Sequence, residues 1–146
     1  MDSALYREQI LEHARRPRNS GRVAAPDAQA VVNNPLCGDE LEATLTLADG
    51  CIREVRFLVR GCAIAQASAS LTSLLVQGLA PDRVAQLGRA LRAALEDPDA
   101  ALPPELEPLA ALTAVRQHRS RVRCALLAWD ALAACTAPAA AESGGV

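Results

Sequence analysis

The sequence predicts an α+β domain, with a small antiparallel three-stranded sheet and helices packed on one of its faces. Three observations carry this. Leu41, Ala43, Leu45 and Leu47 alternate with Glu42, Thr44 and Thr46, the period-two pattern of a half-buried strand. Asp49-Gly50 follows at once, a tight hairpin signal that returns the chain antiparallel. Beyond position 60 the pattern turns to Ala- and Leu-rich helical stretches punctuated by Pro and Gly. Strands grouped ahead of helices in this way favour helices stacked on an antiparallel sheet.

In chain order, residues 3–15 place Leu5, Ile10, Leu11 and Ala14 at helical spacing, and Pro17 and Gly21 end that helix. Residues 29–34 form a short β-like run that stops at Pro35, whose ring forces extended geometry on the residue before it. The strand of residues 41–47 and its return over 52–60 follow, the latter with Val55, Phe57 and Val59 on one face. Residues 63–77 are predicted helical and closed by Gly78, and residues 81–95 helical with Pro81 at a favoured early position. The four prolines within residues 96–108 predict a loop, and residues 110–115 a short helical turn. Residues 122–135 are the last predicted helix. The domain is thus expected over residues 1–135, with 136–146 a small, polar, disordered tail.

At 146 residues the chain is long enough to bury a core as a single domain. The net charge of −2 predicts neither a nucleic-acid nor a membrane partner. All fifteen basic residues are Arg, which together with abundant Ala reads as a compositional bias rather than a functional signal. The first residues are charged and lack an apolar segment, so no signal peptide is expected, and the predicted location is the cytoplasm. Thiols stay reduced there, and five cysteines, an odd number, do not close a disulfide framework; metal or redox use is the better expectation.

Four residues stand out. Cys37 and Asp39 lie in Asn33-Asn34-Pro35-Leu36-Cys37-Gly38-Asp39, a loop in which Gly38 keeps the backbone open, although Gly38-Asp39 also suits a plain turn. Cys62 follows Gly61 at the start of a predicted helix, where unpaired N–H groups favour a thiolate. Cys124 follows Arg121 and Arg123 at the start of the last predicted helix. Each of these two cysteines also fits a packed structural role. Three thiolates and one carboxylate suffice for a tetrahedral zinc site, yet intervals of 24 residues between Cys37 and Cys62 and 61 between Cys62 and Cys124 match no short zinc-finger spacing. Cys51 and Cys135 lack basic neighbours and read as structural, His13 as a solvated residue of a charged helix end, His118 as part of a surface loop, and Trp129 as core.

Taken together, Leu5-Tyr6-Arg7, Pro17-Arg18-Asn19-Ser20-Gly21, the Asn33–Asp39 run, Gly61-Cys62-Ala63-Ile64-Ala65 and Arg121-Val122-Arg123-Cys124-Ala125 resemble the IscU/NifU family of iron–sulfur cluster assembly proteins over residues 5–133. The long Cys62–Cys124 interval, and Arg123 where scaffold-type members carry His, are similar to the SufU branch. That resemblance implies a zinc-dependent sulfur acceptor serving a SufS-type cysteine desulfurase and downstream iron–sulfur assembly proteins. Zinc would be held by Cys37, Asp39, Cys62 and Cys124, with Cys37 taking the persulfide sulfur and Arg121 in the partner-binding run. His118-Arg119 departs from the aromatic-Pro pair common before this run, and Ala63-Ile64-Ala65 replaces the serines common after the second cysteine. The same donors suit a scaffold that builds an iron–sulfur cluster, or a zinc-stabilised interaction protein without sulfur transfer.

Overall fold

The computed structural model describes residues 3–36 and 38–136. Its elements run α1 (Ser3–Arg15), β1 (Ala28–Asn34), β2 (Asp39–Ala48), β3 (Cys51–Arg60), α2 (Ala63–Val76), α3 (Pro81–Glu96), a 3-10 helix (Pro104–Val115) and α4 (Arg119–Cys135). The strands form one antiparallel sheet in the order β1-β2-β3. The hairpin turn has Asp49 at φ 55° and Gly50 at φ 78°, the two left-handed positions that a tight hairpin requires.

Register fixes which face is the core. Ala30, Ala43 and Phe57 lie in one row across the sheet, and Ala28, Leu45 and Val55 in another. These side chains face α2 and α4: α2 packs over β3, and α4 over β1 and β2. The other helices lie outside this layer, α1 on α2, and α3 on α4. The predicted α+β arrangement is therefore the observed one. On the opposite face of the sheet the segment entering β1 crosses as a strap, with Val23 N–H donating to Thr44 Oγ1 at 2.8 Å and Arg22 paired with Glu42.

Four expectations are corrected. The buried stripe of α1 is Tyr6, Ile10, His13 and Ala14, while Leu5 and Leu11 point outward. That stripe is the i, i+4, i+7, i+8 face of a helix. His13 is accordingly packed against α2 rather than solvated, its Nδ1 2.7 Å from Ser70 Oγ. Ser70 Oγ also accepts Arg18 N–H at 2.8 Å, so one hydroxyl ties His13 to the chain that follows α1. Residues 104–108, expected to be loop, belong to the 3-10 helix: Pro104 sits at its start, where no N–H is needed, and Pro108 removes a single bond. Arg116 fastens this connection by donating to the carbonyls of Ala94, Pro98 and Ala100. Finally, α4 begins at Arg119 rather than Val122, with His118 as its N-cap, so Cys124 lies in the second turn and not at the helix start. The tail expected beyond Thr136 lies outside the described residues.

Burial, and next the positive charge of Arg18, hold His13 below its ordinary value. The native state therefore binds this proton less readily than the unfolded chain. The stability concerned is present in full above the unfolded value of about 6.5 and is lost as pH falls from there toward the lower folded value. The melting midpoint is expected to drop between about pH 7 and pH 5, and His13→Gln to flatten that drop; parallel curves for the two proteins would show that His13 does not carry it.

Candidate metal centre

The last rung of the β1–β2 ladder pairs Asn34 with Asp39. Two rungs in, on the same helix-facing side, stand Val32 and Leu41. Where the sheet ends its core face thus turns from apolar to polar, and Asn34 and Asp39 are 2% and 6% exposed. Cys62 is the N-cap of α2, with extended backbone (φ −71°, ψ 173°). Cys124 comes down from α4 and is 2% exposed. The two helices are held together beside this point by Ser68 of α2, whose hydroxyl donates to the carbonyl of Ala125.

Asp39 Oδ2 is the centre of the arrangement. It accepts Cys62 N–H at 3.2 Å and lies 3.1 Å from Cys124 Sγ. The carboxylate oxygen and the sulfurs of Cys62 and Cys124 all lie within 4.8 Å of one another. Gly61 makes room for the carboxylate: a Cβ there would stand 2.7 Å from Asp39 Cγ and 2.9 Å from Oδ2. No atom fits at that distance without displacing Asp39.

The donor set suits zinc. Zn–S bonds of about 2.3 Å and Zn–O bonds of about 2.0 Å put tetrahedral ligand atoms about 3.5–3.8 Å apart, a contraction of about an ångström at most from the spread seen here. Electrostatics points the same way. Two unit negative charges 4.8 Å apart repel by about 3–4 kcal/mol at an effective dielectric constant of about 20. Ionising the carboxyl and both thiols together thus carries a penalty of several kcal/mol, which a divalent cation between them reverses.

Of the residues singled out from sequence, Asp39, Cys62 and Cys124 are brought together, and Asp39 opens a strand instead of forming a plain turn. Cys37 lies outside the described residues. The chain on either side of it is anchored at the site: Leu36 N–H donates to Asn34 Oδ1 at 3.1 Å and Gly38 N–H to Asn34 O at 2.8 Å. Gly38 has φ 77°, which a residue with a side chain adopts only under strain. Arg121 is exposed and lines a shallow depression of about 360 Å³ with Ile64, Val115, His118 and Ser120. Cys51 and Cys135 stand apart from the cluster. Burial pushes the Cys135 thiol up to about 11, so it stays protonated at neutral pH. Trp129 is core, packed against Gly88.

Sequence reasoning missed Asn34 and Gly61. A signal existed for the first: Asn two residues before a main-chain N–H is the donor-capturing turn residue, and Pro35 fixes its geometry. None existed for the second, because its neighbour is Asp39, 22 positions away.

The profile of the NifU-like N-terminal domain matches residues 5–138. The chain belongs to that family. Among its relatives, the zinc-dependent sulfurtransferase SufU of Bacillus subtilis is 30% identical over 128 residues, covering 88% of this chain and 86% of SufU. The iron–sulfur cluster assembly scaffold protein IscU of Escherichia coli is 30% identical over 136 residues, covering 90% and 91%. The crystal structure of a NifU-like protein (N-terminal) from Brucella abortus superposes with a TM-score of 0.81 at 30% identity, over 89% of this chain and 90% of that one. SufU and IscU are thus equally similar in sequence, and the overall match does not choose between them. No helix among the described residues is long and apolar enough to cross a membrane.

The steric role of Gly61 yields a direct test. Gly61→Ala is expected to push the Asp39 carboxylate aside, lowering zinc affinity by about tenfold or more while the metal-free protein keeps its fold. Chelator competition and circular dichroism read the two effects; unchanged affinity in a folded variant would remove Asp39 from the ligand set.

Proposed function

We propose that this protein is a zinc-dependent sulfur acceptor that takes persulfide sulfur from a SufS-type cysteine desulfurase and passes it to downstream iron–sulfur assembly proteins. The observation that carries the reading is the convergence of Asp39, Cys62 and Cys124 on one spot, beside the chain segment that bears Cys37. Zinc, when bound, keeps thiolates deprotonated at neutral pH. Cys37 is the proposed fourth ligand and the acceptor. Its sulfur attacks the outer sulfur of the enzyme persulfide, the S–S bond of that persulfide breaks, and the enzyme cysteine leaves as a thiolate. Cys37 then carries the transferred sulfur, with no external oxidant or reductant needed.

The surroundings suit an incoming protein segment. Leu36 is 65% exposed next to Cys37. Arg60, Arg119, Arg121 and Arg123 are exposed on the segments that lead to Cys62 and Cys124. In this reading Arg121 meets an acidic stretch of the desulfurase and guides its approach. The similarity to B. subtilis SufU supports zinc as the metal. So do Arg123, in the place of the scaffold histidine, and the Cys62–Cys124 interval, which α3 and the 3-10 helix fill.

A second reading, a scaffold on which an iron–sulfur cluster is assembled, is favoured by the equal similarity to E. coli IscU and by donors that serve iron as well as zinc. The deciding experiment adds zinc-loaded protein to a SufS-type desulfurase with cysteine, measures turnover, and maps the added sulfur by mass spectrometry. Stimulated turnover with sulfur on the Cys37 peptide is expected, lost in Cys37→Ser and kept in Cys51→Ser. Sulfur on Cys62 or Cys124 would reassign the acceptor. An unstimulated enzyme, together with cluster formation on this chain when ferrous iron is supplied, would favour the scaffold.

A further inference from the structure

Asn34 is a buried amide that captures Leu36 N–H on one side and contacts the Cys124 sulfur on the other. Its orientation is determined by chemistry. Oδ1 accepts Leu36 N–H at 3.1 Å, and a main-chain N–H can only donate, so the oxygen end faces the loop. The NH₂ end therefore faces α4, where Ser120 O lies at 3.5 Å and Cys124 Sγ at 3.7 Å. Two hydrogens thus meet two acceptors. Its main-chain oxygen takes Gly38 N–H at 2.8 Å as well. One residue grips Leu36 and Gly38 with its acceptors and α4 with its donors.

Other side chains of this size do half of this. Aspartate would serve Leu36 N–H but set an anion against Ser120 O and a sulfur. Leucine would fill the space and leave Leu36 N–H and Ser120 O without these partners. Only an amide presents an acceptor to one side and donors to the other. Groups that hydrogen-bond to metal ligands orient them and tune the metal.

We propose that Asn34 is a positioning residue of the metal centre: its side-chain N–H donates to Cys124 Sγ and turns that sulfur toward Asp39 and Cys62. The bond also draws charge off the sulfur, so that Cys124 stays a ligand and sulfur chemistry falls to another thiol. The inference rests on the metal-binding half of the proposed function and is independent of sulfur transfer.

The direct test uses the unaltered, nitrogen-labelled protein loaded with a spin-half cadmium isotope. An N–H···S–Cd path should give scalar coupling between the metal and an Asn34 side-chain amide proton. Asn34→Leu and Asn34→Ala should lower zinc affinity about 10- to 100-fold in chelator competition and shrink the zinc-induced rise in melting midpoint, whatever they do to the metal-free midpoint. Absence of the coupling in cadmium-loaded protein would overturn the proposal. So would a lower metal-free midpoint with unchanged zinc affinity, which would mark Asn34 as structural only. Failure of the unaltered protein to bind either metal would instead overturn the metal-centre reading on which the proposal rests.

Discussion

A single carboxylate oxygen, Asp39 Oδ2, joins the three parts of this molecule that meet at its functional corner. It belongs to the first residue of β2, accepts the N–H that opens α2, and touches the sulfur that α4 supplies. Each connection depends on structure set up elsewhere. Register pairs Asp39 with Asn34 on the core side of the sheet, where the next residues inward are Leu41 and Val32. The absence of a side chain at Gly61 lets the carboxylate lie against the turn into α2. The bond from Ser68 to Ala125 keeps α2 and α4 in contact, so that Cys62 and Cys124 arrive together.

Burying a carboxylate is costly unless charge and hydrogen bonds compensate, by several kcal/mol per ion. In an apolar core such a group would be a defect. Here it stands at the rim, beside two sulfurs, where an ion that pairs with all three converts mutual repulsion into attraction. The same ion would link the sheet to both helices that cover it, so that metal affinity and fold stability become one quantity. The exposed arginines on the segments around the corner put positive charge beside the site, which in the proposed function meets an acidic stretch of the partner.

How much of this was legible depended on the reach of the signal. The Asp49-Gly50 turn and the alternation from Leu41 to Leu47 were readable because turn dihedrals and strand periodicity are properties of neighbouring residues. The α1 stripe was misassigned because Leu5 and Leu11 are strong hydrophobes, whereas the face that packs is carried by Tyr6, Ile10, Ala14 and a histidine held by Ser70, 57 positions away. The prolines that suggested a loop before residue 108 are tolerated by a 3-10 helix. Cys124 was placed at a helix start because nothing in Arg116–Arg119 marks an N-cap by side-chain chemistry; His118 caps α4 without a side-chain bond. Asp39, Cys62 and Cys124 were identified as residues, but their meeting followed only from the family resemblance, since spacing says nothing about contacts across 23 and 85 positions. Asn34 and Gly61 act through such contacts alone.

The central claim is that three sulfurs and one carboxylate oxygen of this chain surround a single metal ion. X-ray absorption at the zinc edge of the purified protein tests it most directly, because bond lengths count the ligands without reference to any activity. The account predicts three sulfurs at about 2.3 Å and one oxygen at about 2.0 Å. A shell of four sulfurs, or one made of nitrogen and oxygen alone, would contradict it.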